Sequence, residues 1–150
     1  MAAIGRKVWV IAEGYIPSES SYSDRALISH ETACILNAGD RDAHVELTVF
    51  FADREPVGPY RITVAGRRTL HLRFNDLTDP QPVPHDTDAS VFERDVLIVI
   101  QHTRLDSQPP DFALLSTMAS PGSPRLPAVL CRIQRHAAEE SGRLLGVPLR

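Results

Sequence analysis

The sequence predicts an all-β protein. The expected form is a single-domain β-sandwich, jelly-roll-like or immunoglobulin-like, followed by a C-terminal linker and a short helix. Three observations predict it. Apolar residues alternate with polar ones: Val45, Leu47, Val49 and Phe51 take one face, and His44, Glu46, Thr48 and Phe50 the other. That is the period of a half-buried strand. Turn chemistry separates most such runs, at Asn37 to Asp40, Asp53 to Pro59 and Gly66. No segment before residue 120 carries a helical apolar stripe. About seven or eight short strands spaced in this way suit a sandwich or barrel.

The elements follow in order. Lys7 to Ala12 form a first strand that ends at Glu13-Gly14, and the polar stretch from Gly14 to Asp24 is a loop. Leu27 to Asn37 form a second strand and His44 to Phe51 a third. Tyr60, Ile62 and Val64 alternate with Arg61 and Thr63, and Leu70, Leu72 and Phe74 alternate with Thr69, His71 and Arg73, which gives two more. Ala89 to Glu93 make a short strand. Val96 to Ile100 are unbroken and mostly β-branched, the composition of a strand buried on both faces. Phe112 to Ala119 make the last strand.

Between the strands, Arg73 to Asp88 stand apart. Asp76, Asp79, Asp86 and Asp88 are interleaved with Pro80, Pro82 and Pro84, and the segment has almost no apolar periodicity. Proline is excluded from central strands, and each proline restrains the residue before it. This is a structured crossover, neither strand nor helix. Long polar loops in compact domains are more often functional than neutral.

The domain is expected to span 1–119. Residues 120–150 are a Pro-rich linker and a tail in which Val129 to Leu145 carry a helical stripe, with Arg135-Glu139 and Glu139-Arg143 at i,i+4. A helix of that length is marginal alone, so it docks on the domain or a partner, or stays disordered.

Composition excludes several classes. A net charge of −3 argues against nucleic-acid binding by bulk charge and leaves only a local basic patch. No apolar run approaches the ~20 residues that span a bilayer, and the N-terminus reads as a mature first strand, not a signal peptide. Cys34 and Cys131 have no metal-ligand spacing and read as small hydrophobes or free thiols. A cytoplasmic location is the expectation.

Candidate chemistry gathers at a few places. The histidines show no HxH, HxxxH or HExxH spacing, so the usual local zinc patterns are missing and no metal or cofactor is expected. A site assembled across strands from His30, Glu31 and His102 is the one metal alternative. Period two puts Ser29 and Glu31 on one strand face and His30 on the other. No GxSxG is present, and no nucleophile, base and orienting group assemble, so an enzyme is not expected. Gln101-His102-Thr103-Arg104 follow the most apolar strand, and polar groups there must find partners. Either they tie that strand to the crossover, with Arg104 on Asp76, Asp86 or Asp88, or they wall a small-molecule pocket in which Arg104 binds an anion or a diol. Trp9 is either core or an aromatic platform beside Glu13. Arg61, Arg67, Arg68 and Arg73 are either a solvated sheet face or a phosphate- or DNA-binding cluster, with little of the aromatic interleaving that single-strand binders use.

The strings AEGYIP at 12–17, ISHETACILNAGDRDAHVELTV at 28–49, DREPVGPYRITV at 53–64, RRTLHLRFNDLTDPQPVPHDTD at 67–88 and QHTRLDS at 101–107 together resemble the sensory rhodopsin transducer family, from about Ile4 to Ala119. This is the family of the small soluble protein that couples to a microbial sensory rhodopsin. The resemblance implies a β-sandwich, a homotetramer, a cytoplasmic location and a signalling role without catalysis. It also implies a membrane photoreceptor as partner, and it brings two further family readings: binding of sugars or related metabolites, and DNA binding in transcriptional control.

The expectation drawn from both lines is a non-enzymatic β-sandwich that binds a small polar, sugar-like or anionic ligand and relays the event to a partner. The expected ligand residues are Trp9, Glu13, His30, Glu31, Arg73, His102 and Arg104, with Asn75 and Asp76 positioning the crossover. The alternatives are a ligand-free protein-interaction transducer of a rhodopsin-type receptor, and a DNA-binding regulator.

Overall fold

A computed structural model describes residues 4–18, 20–85, 89–108 and 112–123. The strands are β1 (Arg6–Ile11), β2 (His30–Asn37), β3 (Ala43–Phe50), β4 (Val57–Val64), β5 (Arg68–Arg73), β6 (Ala89–Asp106), β7 (Ala113–Met118) and β8 (Ser120–Gly122), with a 3-10 turn at Phe74–Asp76. The fold is all-β, consistent with the expected sandwich. No helix among the described residues is long and apolar enough to cross a membrane. The predicted helix at 129–145 lies outside the described residues.

Every pairing is antiparallel, and β6 belongs to both layers. Its first half pairs with β3 and β1, giving the order β4-β3-β6-β1-β8. Its second half pairs with β2 and β7, giving β5-β2-β6-β7. The change of partner has a local cause. Arg6 pairs with Ile98 but Val8 pairs with Glu93, so β6 carries extra residues between them. Such a bulge bends and twists its strand. Gly5, at φ 105°, lets the backbone approach Ile98, and the Trp9 indole N–H donates to the Ile98 carbonyl at 2.9 Å.

Two expectations about this region are corrected. Ala89 to Glu93 and Val96 to Ile100 are not separate strands but parts of one 18-residue strand. Arg94-Asp95 look like an interruption, yet Arg94 is buried in phase with Phe92, and Asp95 accepts the His44 N–H at 3.0 Å. Val96 to Ile100 are not buried on both faces either: Ile98 and Ile100 are buried, whereas Val96, Leu97 and Val99 are half-buried. The strand lies in antiparallel sheets with one covered face, not in a parallel sheet covered on both.

The core lies between the layers. Trp9, Leu47, Tyr60, Phe92 and Ile98 meet Ile35, Ile100 and Phe74 there. β2 starts at His30 rather than Leu27 because the Leu27 and Ile28 N–H groups turn back to the Asp24 carbonyl and the Ala26 N–H to the Asp24 carboxylate. Asn37, fully buried, closes one end. Its amide donates to the Arg41 and Val64 carbonyls at 2.8 and 3.0 Å, and its oxygen accepts from Gly39 N–H at 3.1 Å. Ser120–Gly122, read from sequence as the head of the linker, pair with β1 as β8.

Candidate functional site

Alternation along β2 and β6 places Glu31, Ala33 and Ile35 opposite Arg104, His102 and Ile100 on the inward face. Glu31 and His102 are thereby drawn into the interior, with side chains 0% and 2% exposed. Glu31 Oε1 accepts the Tyr15 N–H at 2.8 Å and lies 3.4 Å from His102 Nε2. That approach is off hydrogen-bond geometry and leaves His102 Nε2 without a hydrogen-bond partner, and Glu31 Oε2 has none either. Buried polar atoms without partners are uncommon and costly.

His102 also lines a cleft of about 210 Å³, bounded on one side by the end of β1 through Glu13 and on the other by Leu115, Thr117 and Met118 of β7. Glu13 Oε1 accepts from Arg104 Nη1 at 3.2 Å. Glu13, Glu31, His102 and Arg104 therefore gather at one end of the sandwich. Arg104 is tied to Glu13 and not to Asp76, which pairs with Arg25 at 2.6 Å. Asp86 and Asp88 lie outside the described residues.

The other expected site residues lie elsewhere. Trp9 is 6% exposed and packs in the core, with its indole already bonded. His30 points to the opposite face of β2, where Nδ1 meets the Ile28 carbonyl at 2.7 Å. It lines a shallow basin with Cys34 and His71. His30, Glu31 and His102 thus do not converge, and among the described residues no group of three metal-ligating side chains does. Arg73, Asn75 and Asp76 clamp the segment that leads into β2. Arg73 donates to the Arg25 and Ile28 carbonyls and Asn75 to the Ser29 carbonyl, while Asp76 takes the Arg25 guanidinium in a fork. Their effect on Glu31 is positional.

Of the basic cluster, Arg61 meets Glu46 at 3.2 Å and Arg67 lies 4.0 Å from Asp40. Ser29 Oγ sits 3.0 Å from Ser107 Oγ and accepts the Ser107 N–H at 3.0 Å, which fixes the start of β2 to the end of β6.

Two features escape a reading by sequence. Leu115 and Thr117 form one wall of the cleft, and nothing in a plain β run foretells that. Arg94 is buried, and none of its guanidinium nitrogens has a hydrogen-bond partner. Desolvation lowers its pKa to about 10, well below the ordinary guanidinium value. Its phase with Phe92 was the available signal.

Comparison with known proteins fits this architecture. The family described as Anabaena sensory rhodopsin transducer matches residues 4–121. Among solved structures, the Anabaena sensory rhodopsin transducer is 64% identical, with 71% of this chain and 93% of that chain covered at a TM-score of 0.63. The crystal structure of Thermotoga maritima 1070 is 30% identical, with 81% of this chain and 98% of that chain covered at a TM-score of 0.68. No curated protein matches. With the family's pattern running through the whole sandwich, from the start of β1 into β8, the chain belongs to the Anabaena sensory rhodopsin transducer family.

Proposed function

We propose that this chain is a non-enzymatic signalling protein that works by binding a membrane photoreceptor of the sensory rhodopsin kind from the cytoplasmic side, as a homotetramer. The observation that carries this reading is the 64% identity to the Anabaena sensory rhodopsin transducer over 93% of that chain. The two chains also share the fold, at a TM-score of 0.63. The polar groups at the cleft support recognition more than chemistry, since Ser29, the hydroxyl two residues before Glu31, is bonded to Ser107. The test uses the Anabaena sensory rhodopsin in lipid nanodiscs, immobilised, with empty nanodiscs as reference. Saturable retention of the full chain by the loaded discs is the expected result. Equal retention by both would remove the photoreceptor from this reading.

One observation favours a second reading, a small polar ligand in the cleft. Glu31 Oε2 and His102 Nε2 stand without hydrogen-bond partners beside each other, and His102 lines the cleft. A sugar-like molecule with neighbouring hydroxyls could donate to the carboxylate and bond the imidazole, while Arg104 at the rim takes an anionic group or a diol. A thermal-shift screen of sugars, sugar acids and phosphorylated metabolites tests it. At ~100 times its dissociation constant a ligand adds roughly 2.7 kcal/mol of stability. A hit lost in His102→Ala and in Arg104→Ala supports the reading, and a blank screen removes it.

A further inference from the structure

Glu31 and His102 sit where a change of charge is passed directly to the segment that walls the cleft. Their side chains are 0% and 2% exposed, and Oε1 and Nε2 stand 3.4 Å apart. His102 Nε2 and Glu31 Oε2 have no hydrogen-bond partner. Burial penalises any net charge left uncompensated. With one proton on the imidazole and none on the carboxylate, the pair is neutral. A second proton makes it positive, and the loss of both makes it negative. A proton also reaches such a place without needing a cavity.

The carboxylate is bonded through Oε1 to the Tyr15 N–H at 2.8 Å. Hydrogen bonds to an ionised acceptor are roughly twice as strong as those between neutral groups. Protonation of Glu31 therefore weakens its hold on Tyr15. Tyr15 is 46% exposed and lies in the segment from Glu13 to Ile16. At one end, Glu13 walls the cleft and accepts from Arg104 at 3.2 Å. At the other, the buried Ile16 donates its N–H to the His85 carbonyl at 2.9 Å. The Tyr15 bond is the middle tie, and it depends on a buried charge.

The charged groups around the pair are few among the described residues. Arg104 lies opposite Glu31 in the β2–β6 register and is tied to Glu13. Asp106, two residues further along the same face of β6, accepts the Gln108 N–H. The crossover brings His85, whose side chain is exposed. β1 and the residue after it add Ile11 and Ala12 beside Glu13. β7, exposed along its length, adds Leu115 and Thr117, and neither titrates. With Arg104 matched by Glu13, these groups supply no spare negative charge to offset a second proton on the pair.

We propose that Glu31 and His102 form a proton-operated latch on the segment from Glu13 to Ile16. While the pair holds one proton, the ionised Glu31 keeps Tyr15 and the cleft wall stays closed. As pH falls, Glu31 takes a second proton from solvent, the neutral acid loosens the Tyr15 N–H, and the wall opens beside His102. The latch needs neither a bound molecule nor the photoreceptor, so it stands apart from both readings of function.

Amide and side-chain carboxyl NMR of the full chain, followed from about pH 8 to pH 4 where imidazoles and carboxylates ordinarily titrate, tests it. The Tyr15 amide proton is expected to move upfield on acidification, with the same midpoint as the Glu31 carboxyl carbon. Glu31→Gln keeps an acceptor oxygen without a titrating charge, and there the Tyr15 signal should stay fixed. Glu13→Gln, which removes the nearest other carboxylate in sequence, should leave the movement as in the parent. A Tyr15 signal that stays fixed in the parent overturns the latch. So does movement that persists in Glu31→Gln or vanishes in Glu13→Gln, because the rim charge would then be its source. Should Glu31→Gln fail to fold, the parent alone decides, since different midpoints for Tyr15 and the Glu31 carboxyl carbon also overturn the proposal.

Discussion

Glu31 Oε1 faces His102 Nε2 at 3.4 Å in the interior of the sandwich, with the Tyr15 N–H as the carboxylate's hydrogen-bond donor at 2.8 Å. The pair joins β2 to β6, and His102 lines the cleft. Removing Glu31 takes the acceptor from the Tyr15 N–H, and a donor left unsatisfied in the interior costs about 1–3 kcal/mol. Glu31→Ala is therefore expected to lower the unfolding free energy by about that amount in urea titration. His102→Ala added to Glu31→Ala should cost much less than it does alone, the signature of coupled neighbours. Additive losses would mean that the two side chains do not interact.

Arg94 gives the opposite expectation. It is 9% exposed, and its nitrogens lack hydrogen-bond partners. Burial depresses its pKa to about 10, well below the ordinary guanidinium value. A depressed folded-state value means that the protonated form is disfavoured by folding. The resulting contribution favours folding above the unfolded value and is lost as pH falls through about 10. At pH 7 the guanidinium is thus a net cost. Arg94→Met keeps an unbranched apolar stem without the charge, and is expected to raise stability on the order of 1–4 kcal/mol, as when hydrophobic residues replace buried charge elsewhere. The gain should shrink as pH rises above about 10 toward the ordinary guanidinium value. A variant less stable than the parent at pH 7 would show that the guanidinium has an acceptor in solution.

Tyr60 is fully buried on β4, and its hydroxyl has no hydrogen-bond partner. Desolvation raises its pKa above 10.0. A raised folded-state value means that this stability is complete below the unfolded pKa and is lost as pH rises through the folded one. Tyr60→Phe removes an unpaired buried hydroxyl, whose burial costs about 1–3 kcal/mol. The variant should gain roughly that much at pH 7 and lose less stability than the parent above pH 10. Parallel alkaline limbs in the two proteins would assign that loss to other groups.

The strands were legible because period two is the imprint of burial itself. Val45, Leu47 and Val49 alternate in sequence and are buried together. The same phase rule put Glu31 and His30 on opposite faces of their strand, as the structure has them. Arg94-Asp95 hid the continuity of β6, because charge in a strand reads as a break unless its burial is known. Arg73, Asn75 and Asp76 were singled out by composition, but what they clamp depends on the β2–β5 register, a non-local fact. Trp9 could be core or platform on sequence alone, and its bond to Ile98 across the fold decided it. The exposure of β7 was not legible, because alternation does not say whether a face is covered.

Gly5 sets the point where β6 passes from one layer to the other. It holds φ 105°, and a Cβ there would lie 1.9 Å from the Ile98 carbonyl oxygen. No side chain fits that distance, and the positive φ adds strain for any L-residue. The same carbonyl receives the Trp9 indole N–H, so relieving the clash must move either Ile98 or the start of β1. Gly5→Ala is expected to cost more than the ~1 kcal/mol typical of a favourable glycine replacement reversed in sign. It should also release Trp9 from its bond. The chain has one tryptophan, so fluorescence reports this directly: emission should shift to the red and the unfolding midpoint should fall. Gly39→Ala is the contrast, since the nearest atom to its added Cβ is Asn37 Oδ1 at 3.3 Å and its φ is not positive. If Gly5→Ala keeps the parent's emission and midpoint, β1 does not approach Ile98 this closely, and the bend in β6 must be fixed by the bulge alone.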